Sequence, residues 1–176
     1  MKLIDDDIFD GESIIQTKKA NAVIKVDEYG LKKFGFDKFL SIYGMKGKDA
    51  IGGKIYLTNY RLIFKSHWCN RVSGKFSIFL PTIKGVKNTS KLITRKMEVR
   101  TDTQRFEFVV WGPSAFISQI KAVKDAISQE QIEFIHTNAA KDYKKCGEGL
   151  KVFKTLNKIS DGVMSIHKLP ELLEKD

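Results

Sequence analysis

With 176 residues, 42% of them apolar and 12 of them phenylalanine, the chain has room for one ordinary domain plus an appendage. That much apolar surface builds a real core and excludes wholesale disorder. The net charge of +10 is unevenly placed. Lys2 stands against Asp5, Asp6, Asp7, Asp10 and Glu12 at the start, whereas residues 31–75 hold ten Lys and Arg against Asp37 and Asp49. Such a surplus favours acidic partners, namely phospholipid head groups, nucleic acid or an acidic protein face; the alternative is a solvated surface that keeps the protein in solution. Cys69 and Cys146 lack any CxxC spacing and read as reduced thiols, not as a disulfide frame or zinc site. The N-terminus is acidic where a secretion signal is basic and then apolar, and no apolar run approaches the roughly 20 residues of a membrane-spanning helix. The expectation is a cytoplasmic protein, at most peripheral at the inner face of the membrane.

In chain order, Ser13–Lys18 and Ala20–Val26 alternate with period two and predict one long or broken strand. The connection from Asp27 to Ile51 is irregular and mixes Phe34, Phe36 and Phe39 with Lys32, Lys33, Lys38, Lys46 and Lys48. Leu31, Phe34, Lys38 and Ile42 are helix-spaced, so a short helix inside it is an option despite Gly30, Gly35 and Gly44. Ile55 and Leu57, then Leu62 and Phe64, alternate on either side of Thr58-Asn59-Tyr60, which predicts a β-hairpin. Asn59 is expected to take its turn through left-handed backbone angles.

Phe76, Ile78 and Leu80 face inward on the next strand, which Pro81 ends because proline donates no ladder hydrogen bond. Short strands follow at Ile83–Val86, Met97–Arg100 and Phe106–Val110. About seven short strands with polar turns predict a mainly β fold, an antiparallel sandwich or small barrel. The period then changes. Gly112-Pro113 opens a helix whose Phe116, Ile120, Val123 and Ile127 form one apolar stripe that packs on the sheet. From Gln129 the chain reads as a helical extension. Ile132, Phe134 and Ile135 extend or restart a helix, and Leu150, Phe153 and Leu156 opposite Lys151, Lys154 and Lys158 predict a short basic amphipathic one. It docks on the domain or, alternatively, meets a membrane or a partner.

Three pieces in this order carry a resemblance: Gly52-Gly53-Lys-Ile-Tyr-Leu-Thr-Asn-Tyr-Arg-Leu-Ile-Phe-Lys-Ser66-His67, then Phe76-Ser-Ile-Phe-Leu-Pro-Thr-Ile-Lys-Gly-Val86, then Phe106-Glu-Phe-Val-Val-Trp111 running into a helix. Together they resemble a GRAM domain of the bacterial single-domain kind, from about Phe9 to Ile127. The resemblance implies a pleckstrin-homology-like fold, a strongly bent antiparallel sheet closed at one end by the helix. The domain is therefore expected over residues 9–128 and the extension over 129–176. The Asp27–Ile51 connection is longer than the pattern leads one to expect, and it occupies the region where pleckstrin-homology folds often place a phosphoinositide-contacting basic loop. No lipid-contacting motif matches residue by residue.

Other chemistry was weighed on the same residues. Gly47-Lys-Asp-Ala-Ile-Gly52-Gly53-Lys54 invites a phosphate-loop reading, but Gly53 stands where the lysine belongs and a strand follows in place of a helix. His67 and Cys69 find no paired spacing with His136, His167 or Cys146, so no metal or other cofactor is expected. Trp68 is expected to pack on the core edge; its alternative, with Arg71, is a membrane-dipping tip. No nucleophile stands beside a base, so no catalytic residue is nominated. The best cluster is Lys32, Lys33, Lys38, Lys46 and Lys48, where each lysine near an anionic bilayer contributes about 1 kcal/mol. No nucleic-acid motif accompanies it. The alternative is a lysine-decorated loop whose phenylalanines fill a satellite core. The sequence thus points to a non-enzymatic binding module that contacts anionic membrane lipid through this loop, or else to a protein-interaction or scaffold domain.

Overall fold

The computed structural model describes residues 2–25, 48–68, 70, 72–147 and 149–152. Its strands are β1 (Ile14–Lys25), β2 (Lys48–Thr58), β3 (Arg61–Ser66), β4 (Val72–Phe79), β5 (Gly85–Asn88), β6 (Lys96–Arg100), β7 (Arg105–Val110) and β8 (Gly149–Val152). The helices are α1 (Pro113–Asp125), α2 (Gln129–Lys141) and α3 (Tyr143–Cys146), with short 3-10 turns at Asp5–Asp7 and Leu80–Thr82. All pairings are antiparallel, in the order β5-β6-β7-β1-β2-β3-β4-β8. β1 is the hub, pairing along its whole length with β2 and through Ala20–Val23 with β7. Among the described residues the ladder does not close, so the architecture is an open sheet with β5 and β8 at its ends. Seven strands followed by α1 is the arrangement that the resemblance implies.

Alternation builds the main core. Ile55, Leu57, Leu62, Phe64 and Ile78 meet Met97, Val99, Phe108 and Val110, and α1 adds Phe116, Ile117 and Ile120. Val123 and Ile127 pack at its margin, so the predicted stripe lies against the sheet. Phe76 stacks on Phe106 and Phe108 with ring centroids 5.6 and 6.1 Å apart, joining β4 to β7. Gly53 leaves no room for a side chain between β2 and β3. A Cβ there would stand 2.7 Å from the Phe64 ring and 2.9 Å from the Ser66 Cα.

Two local expectations are corrected. No described residue other than glycine has a positive φ, so Asn59 does not turn the hairpin through left-handed angles. Side chains hold it instead. Thr58 Oγ1 accepts from the amides of Tyr60 (3.1 Å) and Arg61 (2.9 Å). Asn59 reaches outward, donating to the Gly11 carbonyl (2.9 Å) and accepting from the Ser13 amide (2.8 Å). Secondly, Leu150 and Lys151 do not begin a helix. They lie in β8, which pairs with Val72–Lys75 of β4, and Gly147 precedes it at φ 102°. The free edge of β4 offers backbone partners that outweigh a weak helical periodicity. The remainder of that predicted helix lies outside the described residues, as does the helical option at Leu31–Ile42.

Candidate functional site

Thr58-Asn59-Tyr60-Arg61, inside the first of the three pieces, encloses a buried charge network. Arg61 is 0% exposed, although it lies on the face of β3 opposite Leu62 and Phe64. Each of its N–H groups has a partner. Nε and Nη2 donate to the two Glu12 carboxylate oxygens at 2.8 Å each. Nη2 also donates to the Asp7 carbonyl (2.7 Å), and Nη1 donates to Ser77 Oγ (3.0 Å) and the Lys145 carbonyl (2.9 Å). Its guanidinium carbon lies 4.5 Å from the Phe9 ring centroid and 5.8 Å from that of Phe79. Glu12 is completed by the Thr58 hydroxyl (2.8 Å) and the Phe9 amide (2.9 Å).

A second ion cluster adjoins the first. Asp7 accepts from Lys65 Nζ (2.7 Å), Lys75 Nζ (2.6 Å) and the Ile4 amide (3.0 Å). Burial works to raise its carboxyl, yet those hydrogen bonds outweigh burial and lower it to about 2 from an ordinary 3.8. Three of the ten cations of residues 31–75 are therefore neutralised by the acidic start of the chain. Around them Phe9, Tyr60 and Ile135 form a second core, with Phe79, Phe134 and Cys146 against it. Burial pushes the Cys146 thiol up, so it stays protonated, as expected of a reduced thiol. This network is a fastening, not a ligand site, and sequence reasoning missed it. The signal was there: Arg61 breaks into a run of apolar residues, Leu62-Ile63-Phe64, with five acids upstream and no partner of their own.

The sequence-predicted binding residues fall elsewhere. Lys32, Lys33, Lys38, Lys46 and Arg71 lie outside the described residues. Lys48 opens β2 opposite Lys25. Trp68 does not pack on the core edge as expected: it is 76% exposed. Its loop is tied down on either side of it, because the Gly52 carbonyl accepts from the His67 amide (2.9 Å) and from Asn70 Nδ2 (2.6 Å). With the backbone on both sides committed to β2, the indole is left facing solvent. Gly52 is four residues along β2 from Lys48, so the Trp68 loop stands beside the strand that leads out of the basic segment. A shallow cleft of about 310 Å³ between the end of β4 and the β6–β7 turn, lined by Ser77, Thr82, Thr101, Asp102 and Phe106, contains none of these residues. Among the described residues no three His, Cys, Asp or Glu side chains converge as metal ligands, and no helix is long and apolar enough to cross a membrane.

These features define a mainly β fold: an open antiparallel sheet, one capping helix, and loops that carry exposed aromatic and aliphatic side chains. Residues 48–127 match the GRAM domain family model. The match starts at β2, although β1 belongs to the same sheet. Among solved structures the chain is similar to the C-terminal domain of an unknown protein from Leishmania infantum, with 14% identity and a TM-score of 0.45, over 65% of this chain and 86% of that one. It is also similar to the Vps36 N-terminal PH domain, with 16% identity and a TM-score of 0.41, over 74% and 86%. No curated protein matches the sequence.

Proposed function

We propose that this protein is a non-enzymatic GRAM-type binding module, with its domain over residues 9–128, that makes peripheral contact with anionic membrane lipid. Lys32, Lys33, Lys38, Lys46 and Lys48 supply the charge, and Trp68 with Arg71 supplies the tip. The observation that supports this reading is the exposed Trp68, held on a loop pinned to Gly52 of β2, the strand that follows the basic segment in the chain. Tryptophan belongs at the interface between head groups and acyl chains, and nearby cations draw the protein to anionic lipid.

The test is co-sedimentation with neutral and anionic vesicles at low and physiological salt. The expected result is binding to anionic vesicles only, weakened by salt and lost in Lys32→Glu/Lys33→Glu/Lys38→Glu. Absence of binding at low salt would sink the reading and turn attention to a protein-interaction role for residues 129–176.

A further inference from the structure

We infer that the turn between β5 and β6, together with Trp111, is a separate tip that inserts into an anionic bilayer. Lys91 and Thr94 close this turn by exchanging both backbone hydrogen bonds, at 3.0 and 2.9 Å. Its base is braced by the Thr89 amide on the Lys96 carbonyl (3.0 Å) and the Lys96 amide on Ser90 Oγ (3.0 Å). The two residues at the apex are Leu92 and Ile93, 104% and 77% exposed. Turn apices ordinarily carry Gly, Asn, Asp or Pro, for backbone reasons. Two branched aliphatic side chains held there contribute nothing to the core and present apolar area to water. The Val110 amide donates to the Arg95 carbonyl (3.0 Å), so β7 runs out beside this turn, and the next residue, Trp111, is 80% exposed.

Charge identifies the occupant. Residues 85–97 hold Lys87, Lys91 and Arg95 exposed and no acid, Lys96 being buried. Lys18 adds a fourth cation, its Nζ donating to the Trp111 carbonyl at 3.0 Å. Apolar side chains at an apex, an indole beside them and cations behind them match the layering of an anionic bilayer: acyl chains, interface, phosphate. The tip leaves the sheet at the Val110 end of β7, where Ala20 pairs, whereas β1 runs the other way, past Val23 and its partner Glu107, to Lys25. The tip uses none of the residues of the lysine loop, and this inference stands independently of it.

The chain has two tryptophans, and Trp111→Phe keeps Trp68 in place, so the difference in emission between the native chain and this variant reports Trp111. With phosphatidylcholine/phosphatidylserine vesicles at physiological salt, Trp111 emission should shift to the blue and be quenched by brominated acyl chains. Leu92→Ser/Ile93→Ser should weaken vesicle affinity about tenfold or more while leaving thermal unfolding unchanged, since both side chains are exposed. Unquenched Trp111, or unchanged affinity in that variant, would overturn the inference. If Lys32→Glu/Lys33→Glu/Lys38→Glu abolishes binding and the tip variant does not, the loop reading stands and the tip falls; the reverse pattern supports the tip and sinks the loop. A change in elution volume of Leu92→Ser/Ile93→Ser without any vesicle effect would reassign the tip to a protein contact.

Discussion

Arg61 shows what a fully dehydrated guanidinium requires. Every N–H must be matched and the charge must be answered, and Glu12, Ser77 and two carbonyls meet both conditions. Breaking one side of such a pair strands the other. Arg61→Met should lower unfolding free energy by about 3–5 kcal/mol in urea titration, and adding Glu12→Leu should restore most of the loss, because the stranded carboxylate is then gone. Asp7 makes a pH prediction. Its folded carboxyl is held at about 2, below an ordinary 3.8. Between those values the unfolded chain binds the proton and the folded one does not, so stability is fully present above the ordinary value and is lost as pH falls through about 2. Melting temperatures across that interval should decline in the native protein, and Asp7→Asn should flatten that part of the decline. The face on which Arg61 lies was legible from its parity with Ile63. Its burial was not, because a two-residue period says which side a residue takes and nothing about what covers that side.

At the scale of elements, the hairpin and α1 were legible because each is fixed by its own short-range pattern: alternation on both sides of Thr58-Asn59-Tyr60, and a 3.6-residue stripe behind Gly112-Pro113. α2 restarts the helix for an equally local reason. Ser128 Oγ accepts from the Gln131 amide (3.2 Å), and Gln131 Oε1 accepts from the Ser128 amide (3.0 Å). Ser128→Ala should therefore cost about 1 kcal/mol in urea titration, provided that α2 unfolds with the domain. The strand β8 was illegible for the opposite reason. Four residues carry little periodicity, and what makes them a strand is the edge of β4, some 75 residues earlier in the chain.

Across the whole molecule, the start of the chain and residues 129–146 meet around Arg61. The Asp5–Asp7 turn, Phe9 and Glu12 come from the first and α2 and α3 from the second, with Arg61 bonded to both through the Asp7 and Lys145 carbonyls. Ending the chain after Ile127 removes one of these partners and uncovers Tyr60 and Phe79. Such a protein should melt at lower temperature and bind a hydrophobic dye that the full chain does not. If instead it melts like the full chain, the C-terminal segment is no part of the folded unit.

The sequence by itself determined the antiparallel strands, the capping helix and the GRAM resemblance, because periodicity and a contiguous motif are properties of neighbouring residues. It also located the charge. What the charge does was decided by tertiary structure: Glu12 and Asp7 cross to Arg61, Lys65 and Lys75 over some 50 to 70 residues of chain, and turn part of an apparent basic surface into an internal fastening. The exposure of Trp68, Leu92, Ile93 and Trp111 was decided the same way. An apolar residue has no fixed place until the fold provides, or withholds, a surface to cover it.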